Sequence, residues 1–463
     1  MAKREPNGQL RTLLIEARWS GQDFARAVNG TAAEAGLTLS YDRTSVSHWL
    51  AGTRPPAHVV DLAAEALSRR TGRRIAAADT GLARPAGARA RERPGDGTHG
   101  ADVLAAAAPT GAEMPDCGPD FGVGALGEIP VYSSAWRPPE EQQPARPGQT
   151  GSRAAARAGA RGGARGGARI GHDHVRAAEA VLPVFRNADM MFGSGLARPA
   201  LTAYLATTVA PWLRADAPPS VRHLLLGATS RLAYTAGFLC FDSNQHGVAQ
   251  AYYRAALRLG REAGDPQCHA PVLRAMSVQA HHLGHRTQAL ELAEAAAREA
   301  GRLPTLQAAF VTGQLAVAEA ACGDRRAAVS HLAGAQRLLD RSEGQSAPIG
   351  DYHQAALCHQ QAEALAALGD GRGAIAALGA SLRHRPAAER RARAVTAARL
   401  AELHLGQGHL ERACAAWHEV LDVVPQLESA RVTDALRRMR GRLRAVRASG
   451  VVRPLLERVA AGT

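Results

Sequence analysis

The chain has 463 residues, enough for two or three domains with a sizeable core. Aromatic residues make up only 4%, alanine is abundant and no run of alternating β-branched residues stands out, so the composition argues against a β-rich fold and predicts an all-α one. The net charge of +14 fits a nucleic-acid partner. Charge alone carries little here, because Lys3 is the only lysine and the excess of Arg, Ala, Gly and Pro matches the codon usage of a GC-rich genome.

In chain order, Leu10, Leu13, Leu14 and Ala17 form the apolar stripe of a first helix. Ser20 and Asp23 stand at capping-box spacing before a second helix, whose Phe24, Ala25 and Val28 face inward. Asn29 to Ser40 then intervene, lengthening helix two as far as Ala35 with Gly36 as its stop.

The run Tyr41-Asp-Arg-Thr-Ser-Val-Ser-His-Trp-Leu-Ala-Gly-Thr-Arg-Pro-Pro56 is the most informative stretch. Asp42 or Thr44 is placed to cap a short helix, Val46, Trp49 and Leu50 form one apolar stripe, and Gly52 with Pro55-Pro56 ends it. The remaining face carries Arg43, Ser45, Ser47 and His48, small, polar and rich in donors, as a helix lying in a DNA major groove requires. Val59, Leu62, Ala63, Ala66 and Leu67 supply a further amphipathic helix.

This order of helices over residues 7–75 resembles the helix-turn-helix domain of the XRE (lambda-repressor-like) regulators. The insert at 29–40 is longer than the turn of a few residues that these regulators use. The resemblance implies a phosphate contact from Gln22, base or backbone contacts from Arg43, Thr44, Ser45, Ser47 and His48, and further phosphate contacts from Thr53 and Arg54. The other reading of the same residues is a helical module that only packs against its neighbours.

From Gly81 to Gly171 the composition collapses to Ala, Gly, Arg, Pro and acidic residues, which predicts a disordered linker. Gly127 to Trp136 is a brief apolar island in it, and Arg153, Arg157, Arg161, Arg165 and Arg169 recur every four residues. The glycine pairs among these arginines argue against a helix and leave two readings: an arm for DNA phosphates, or a slipped repeat of GC-rich codons.

The C-terminal half repeats over residues 175–460. Gly284, Gly323, Gly369 and Gly408 are each followed five residues later by an alanine, and Asn244 stands in the glycine position before Ala249. Those alanines, 249, 289, 328, 374 and 413, lie 40, 39, 46 and 39 residues apart. A second alanine follows at 256, 296 and 335, and Pro386 and Pro425 close two units. The pattern resembles the tetratricopeptide repeat, with units longer than that family's ~34 residues. The resemblance implies an α-solenoid of stacked helix pairs whose groove takes a protein or peptide partner. Residues 175–245 form its entry, Asp340 to Pro348 an inserted loop, and Arg431 to Ala460 a last cap or an extra helix pair.

Signals for chemistry are absent. His281 and His285 stand one helical turn apart beside His282 but lack further ligands and a His-Glu-x-x-His motif, His172-Asp-His174 stands beside the linker, and Gly193-Ser-Gly195 lacks the Gly-Lys-Ser/Thr ending of a phosphate loop. No enzyme, cofactor or metal is expected. Cys117, Cys240, Cys268, Cys322, Cys358 and Cys414 read as buried small hydrophobes in a reducing compartment. Leu224 to Phe241, broken by Arg231 and several hydroxyls, reads as too polar to span a bilayer, and no signal-peptide pattern opens the sequence.

Taken together, the folded parts resemble a class of actinobacterial regulators, some described as negative regulators of sporulation and antibiotic production. The expectation is a cytoplasmic, nucleoid-associated transcription regulator that binds double-stranded DNA as a homodimer joined through its repeats. The competing expectation is an interaction scaffold whose N-terminal module does not read DNA.

Overall fold

The computed structural model describes residues 6–34, 38–73, 75–83, 170–342 and 352–461, and every regular element among them is helical. Nearly all of the expected linker, with its apolar island and arginine register, lies outside the described residues, as do Cys117 and positions 343–348 of the expected inserted loop.

Four helices build the N-terminal unit: α1 (Gly8–Glu16), α2 (Gly21–Glu34), α3 (Arg43–Leu50) and α4 (Ala57–Thr71). Their apolar stripes meet in one core of Leu10, Leu13, Phe24, Val28, Val46, Trp49, Leu62 and Leu67, all buried. The Trp49 indole is the hub, edge-on to Phe24 at 6.1 Å and to Tyr41 at 5.0 Å. Helix α2 ends at Glu34, and residues 35–37, where Ala35 and Gly36 were expected to stop it, lie outside the described residues. Two hydrogen bonds hold the far end of the insert. Asn29 Nδ2 donates to the Tyr41 carbonyl at 2.8 Å, and the Tyr41 N–H donates to Asn29 Oδ1 at 3.0 Å. The packed unit continues past residue 75, because Ile75 and Leu82 are buried in the same core and Asn7 Nδ2 donates to the Thr80 carbonyl at 3.0 Å.

The second unit begins with α5 (His172–Phe192) and α6 (Ser194–Tyr204), followed through a π-turn by α7 (Ala210–Arg214). Five helix pairs follow: α8 (Pro219–Asp242) with α9 (His246–Glu262), α10 (Pro266–His282) with α11 (Arg286–Arg298), α12 (Thr305–Ala321) with α13 (Arg325–Asp340), α14 (Gln354–Ala367) with α15 (Gly371–His384), and α16 (Arg390–Gly406) with α17 (Leu410–Val423). Helices α18 (Ala430–Leu443) and α19 (Val452–Ala461) form an additional pair at the end.

Each of the five turns uses a left-handed residue to reverse the chain after the first helix. Gly284, Gly323, Gly369 and Gly408 have φ of 88°, 90°, 84° and 78°, and Asn244 adopts φ 57° in the same position. The alanines five residues on are at most 1% exposed, which lets the paired helices approach closely. This is a repeat-like helical architecture.

Two expectations need correction. Cys322 is exposed, because it caps the end of α12 beside the Gly323 turn instead of facing a helix partner; Cys240, Cys268, Cys358 and Cys414 are buried. Helix α8 is long and apolar enough to cross a membrane, with mean hydropathy 1.3, so its sequence is not too polar as such. What assigns it to the protein interior is packing, since 83% of that window is buried.

The two ends of the array touch. The Gly195 N–H donates to the Glu428 carbonyl at 3.0 Å, and the Glu428 N–H donates to the Phe192 carbonyl at 2.7 Å. Gly193 and Gly195 are required for this approach: a Cβ on either would lie 2.5 Å from an atom of Glu428. The Arg391 guanidinium of α16 completes the closure, 3.0 Å from Asp189 of α5 and 3.6 Å from Asp242 of α8.

Candidate nucleic-acid interface

The exposed side of α3 is prepared by its cap. The Asp42 carboxylate accepts from the Ser45 N–H at 2.8 Å and from Ser45 Oγ at 2.8 Å, fixing the first turn. Those hydrogen bonds from Ser45 hold the Asp42 carboxyl below its ordinary range. Val46 and Trp49 point into the core. Arg43, Thr44, Ser47 and His48 are thereby left exposed on the opposite side.

Gln22 and α3 are linked directly: the Arg43 N–H donates to Gln22 Oε1 at 3.3 Å. This bond fixes the carboxamide oxygen inward, so the NH2 end of an exposed side chain is available to an acceptor. After α3 the Thr53 N–H donates to the His48 carbonyl at 2.9 Å, and Arg54 is exposed beside it.

Of the eight residues singled out from sequence, seven therefore surround one surface, with Gln22 brought in from α2. Ser45 differs. It is half-buried and its hydroxyl is committed to the cap, so its role is to build the helix end. The negative Asp42 also occupies the helix N-terminus, where an anion would otherwise be favoured. Cation and donor groups on this surface thus come from side chains (Arg43, Arg54, Gln22) and not from open backbone N–H groups.

A second surface of the same unit is covered. Helix α4 packs on the α10–α11 turn, where His285 Nε2 lies 3.0 Å from Glu65 Oε1 and Arg69 Nε lies 2.6 Å from the same oxygen. Burial pushes the Glu65 carboxyl up, but the hydrogen bond from His285 and the Arg69 charge outweigh it, so the net shift is downward. The helix expected from Val59 to Leu67 spans Glu65, and His285 belongs to the histidine cluster of the repeats, with nothing in the sequence to link them. No local signal could, since 220 residues separate the pair. With α4 held this way, α3 remains exposed to solvent.

His174, beside the expected linker, takes a structural place. His174 Nδ1 accepts from the Gly171 N–H at 3.2 Å and its ring meets Trp212 edge-on at 5.0 Å. Among the described residues no group of three or more His, Cys, Asp or Glu side chains is arranged to hold a metal ion.

The N-terminal unit has a recognised relative. Residues 10–83 match the family model of the SP15 N-terminal domain. The SP15-like segment covers α1 to α4 and the buried return through Leu82, which coincides with the limits of the packed core. No curated protein matches the chain.

Proposed function

We propose that the protein is a sequence-specific DNA-binding transcription regulator. In this reading the SP15-like unit is a lambda-repressor-type helix-turn-helix module and the C-terminal array a tetratricopeptide-like solenoid. The observation that carries it is the division of α3, with Val46 and Trp49 buried and Arg43, Thr44, Ser47 and His48 exposed together. Helix α3 is the helix laid in the major groove. Arg43, Ser47 and His48 meet base edges, and Gln22, Thr53 and Arg54 meet phosphates and set register. Thr44, at the exposed start of the helix, contacts base or backbone. One such module buries little surface, so tight binding calls for two copies joined through the repeat units.

The test is selection of randomised duplexes by the full chain, followed by titration of the strongest sequence. Recovery of a shared motif, with binding weakened by about 1–3 kcal/mol in Arg43→Ala, supports the assignment. Failure to enrich any motif, or equal affinity of an Arg43→Ala, Ser47→Ala double variant, overturns it. The surviving alternative would then be an interaction scaffold.

A further inference from the structure

The last helix pair carries a concentrated charge surplus. Between residues 430 and 461 nine arginines stand against two carboxylates, Asp434 and Glu457, a surplus of seven and half of the chain's net +14. Abundant arginine does not by itself leave guanidinium groups open. In α16 all four arginines are engaged. Arg390 donates to Gln426 Oε1 at 2.6 Å, and Arg391 lies 3.0 Å from Asp189. Arg393 donates to the Leu382 and Arg385 carbonyls at 3.0 Å, and Arg399 lies 2.9 Å from Glu363.

Helices α18 and α19 divide their arginines differently. Arg437 pairs with Asp434, Arg438 lies 3.2 Å from Glu402, and Arg458 lies 2.6 Å from Asp422. Arg440, Arg442, Arg444 and Arg447 are exposed, and none of them has an ion-pair or hydrogen-bond partner among the described residues. Val432, Leu436, Met439 and Leu443 take the buried side of α18, which leaves these four outward. Arg440, Arg444 and Arg447 recur at i, i+4 and i+7 along α18 and its 3-10 extension (Arg444–Val446), so they share one side over about 10 Å. Like charges at this spacing repel, and the partner that relieves the repulsion is a polyanion.

We propose that Arg440, Arg442, Arg444 and Arg447 form a second, sequence-independent contact for the phosphates of duplex DNA. The choice of polyanion rests on the DNA-binding reading. Three phosphates of one strand rise about 10 Å along a duplex, the span from Arg440 to Arg447, and a planar guanidinium grips a phosphate with two parallel donors. Placement favours the same duplex that α3 reads. Asn244 Nδ2, at the first turn of the array, donates to Asp434 Oδ2 six residues before Arg440. Helix α4 docks at the turn of the next pair, where His285 meets Glu65. The patch therefore begins about 9 Å along α18 from the edge that holds the N-terminal unit. Helix α3 selects the site, and the arginines add affinity from backbone phosphates whatever the base sequence.

The test is fluorescence anisotropy of the full chain on a random-sequence duplex across a salt series. One variant replaces Arg440, Arg442, Arg444 and Arg447 with Gln. A control replaces Arg298, Arg326, Arg372 and Arg412, exposed arginines from the second helices of four repeat pairs, and removes the same total charge. The patch variant should bind the duplex roughly tenfold or more weakly at about 0.1 M salt, with the slope of log K against log salt shallower by about 2–4. The control should stay close to the parent. Random duplex does not depend on base reading, so this measurement stands whether or not Arg43→Ala alters motif selection, and the two readings fail separately. An unchanged slope in the patch variant, an equal loss in the control, or patch-dependent binding that favours single-stranded RNA or phosphatidylserine vesicles over the duplex overturns the proposal.

Discussion

His285 Nε2 and Glu65 Oε1 lie 3.0 Å apart, each on a side chain only 1% exposed, although 220 residues separate them in the chain. The pair joins the N-terminal unit to the first glycine turn of the repeats. The Glu65 carboxylate is held by Arg69 and by a hydrogen bond with His285, and taking a partner from a buried charge costs about 3–5 kcal/mol, because the remaining group keeps its desolvation penalty. Glu65→Gln or His285→Ala should therefore release α4 from the array while leaving overall helicity intact. Hydrogen exchange checks this: amides of α4 and of residues 283–286 should lose protection in both variants, and unchanged protection would sink the docking account.

The same contact sets an acid limit. The Glu65 carboxyl is lowered on folding, so its contribution is present above its unfolded value, about 4.3, and is lost as pH falls through the folded one. Docking should hold at neutral pH and release only at acid pH below the unfolded value, and the transition should vanish in Glu65→Gln.

Gly284 and Gly369 offer a paired test. Both turn residues have left-handed φ, 88° and 84°, so alanine at either should cost about 1–2 kcal/mol in backbone strain. They differ in surroundings: a Cβ on Gly369 would meet nothing within 4 Å, whereas one on Gly284 would lie 2.9 Å from the Arg69 carbonyl. Urea midpoints should fall by similar amounts in the two variants, while only Gly284→Ala should increase exchange in α4.

Asp189 gives a prediction of opposite sign. Burial, reinforced by the nearby Asp242 charge and opposed by Arg391, pushes its carboxyl up to about 6. A carboxyl raised on folding contributes most below its unfolded value, about 3.9, and that contribution is lost as pH rises through 6. Between pH 4 and 7 the stability difference should therefore shift in favour of Asp189→Asn, by about 1–3 kcal/mol. Parallel denaturation curves at the two pH values measure it, and a constant difference would contradict the assigned environment.

The core and the exposed surface of the N-terminal unit can be separated experimentally. Phe24 is fully buried and packs edge-on against Trp49, so Phe24→Ala should cost about 3–5 kcal/mol and abolish any property of α3 by unfolding it. Arg43 is exposed, so Arg43→Ala should leave the melting temperature within about 1–2 °C of the parent. DNA binding lost in the second variant without loss of stability would belong to the surface itself.

Much of the molecule was legible locally. The Ser20–Asp23 and Asp42–Ser45 caps, the Val46/Trp49 stripe and the turn residues at 244, 284, 323, 369 and 408 all act within a few residues of themselves. Their signals survive in sequence because helix caps and left-handed turns are satisfied by neighbouring backbone. Even Asn244 betrayed its turn, being among the few residues other than glycine that tolerate positive φ.

What the sequence determined by itself is the helical class, the repeat of the turns and the apolar stripe of α3, with Arg43, Ser47 and His48 outward. Only the tertiary structure decided that the array closes on itself, that Glu65 meets His285, and that the Arg431 guanidinium lies over the Phe241 ring. Within a dense run of arginines Arg431 carries no mark of its own. Its position depends on Glu428 meeting Gly193 and Gly195, a contact between residues more than two hundred positions apart. Side-chain periodicity fixes which face of a helix is buried, but not which distant helix covers it, because that choice is made by the summed packing of the whole array.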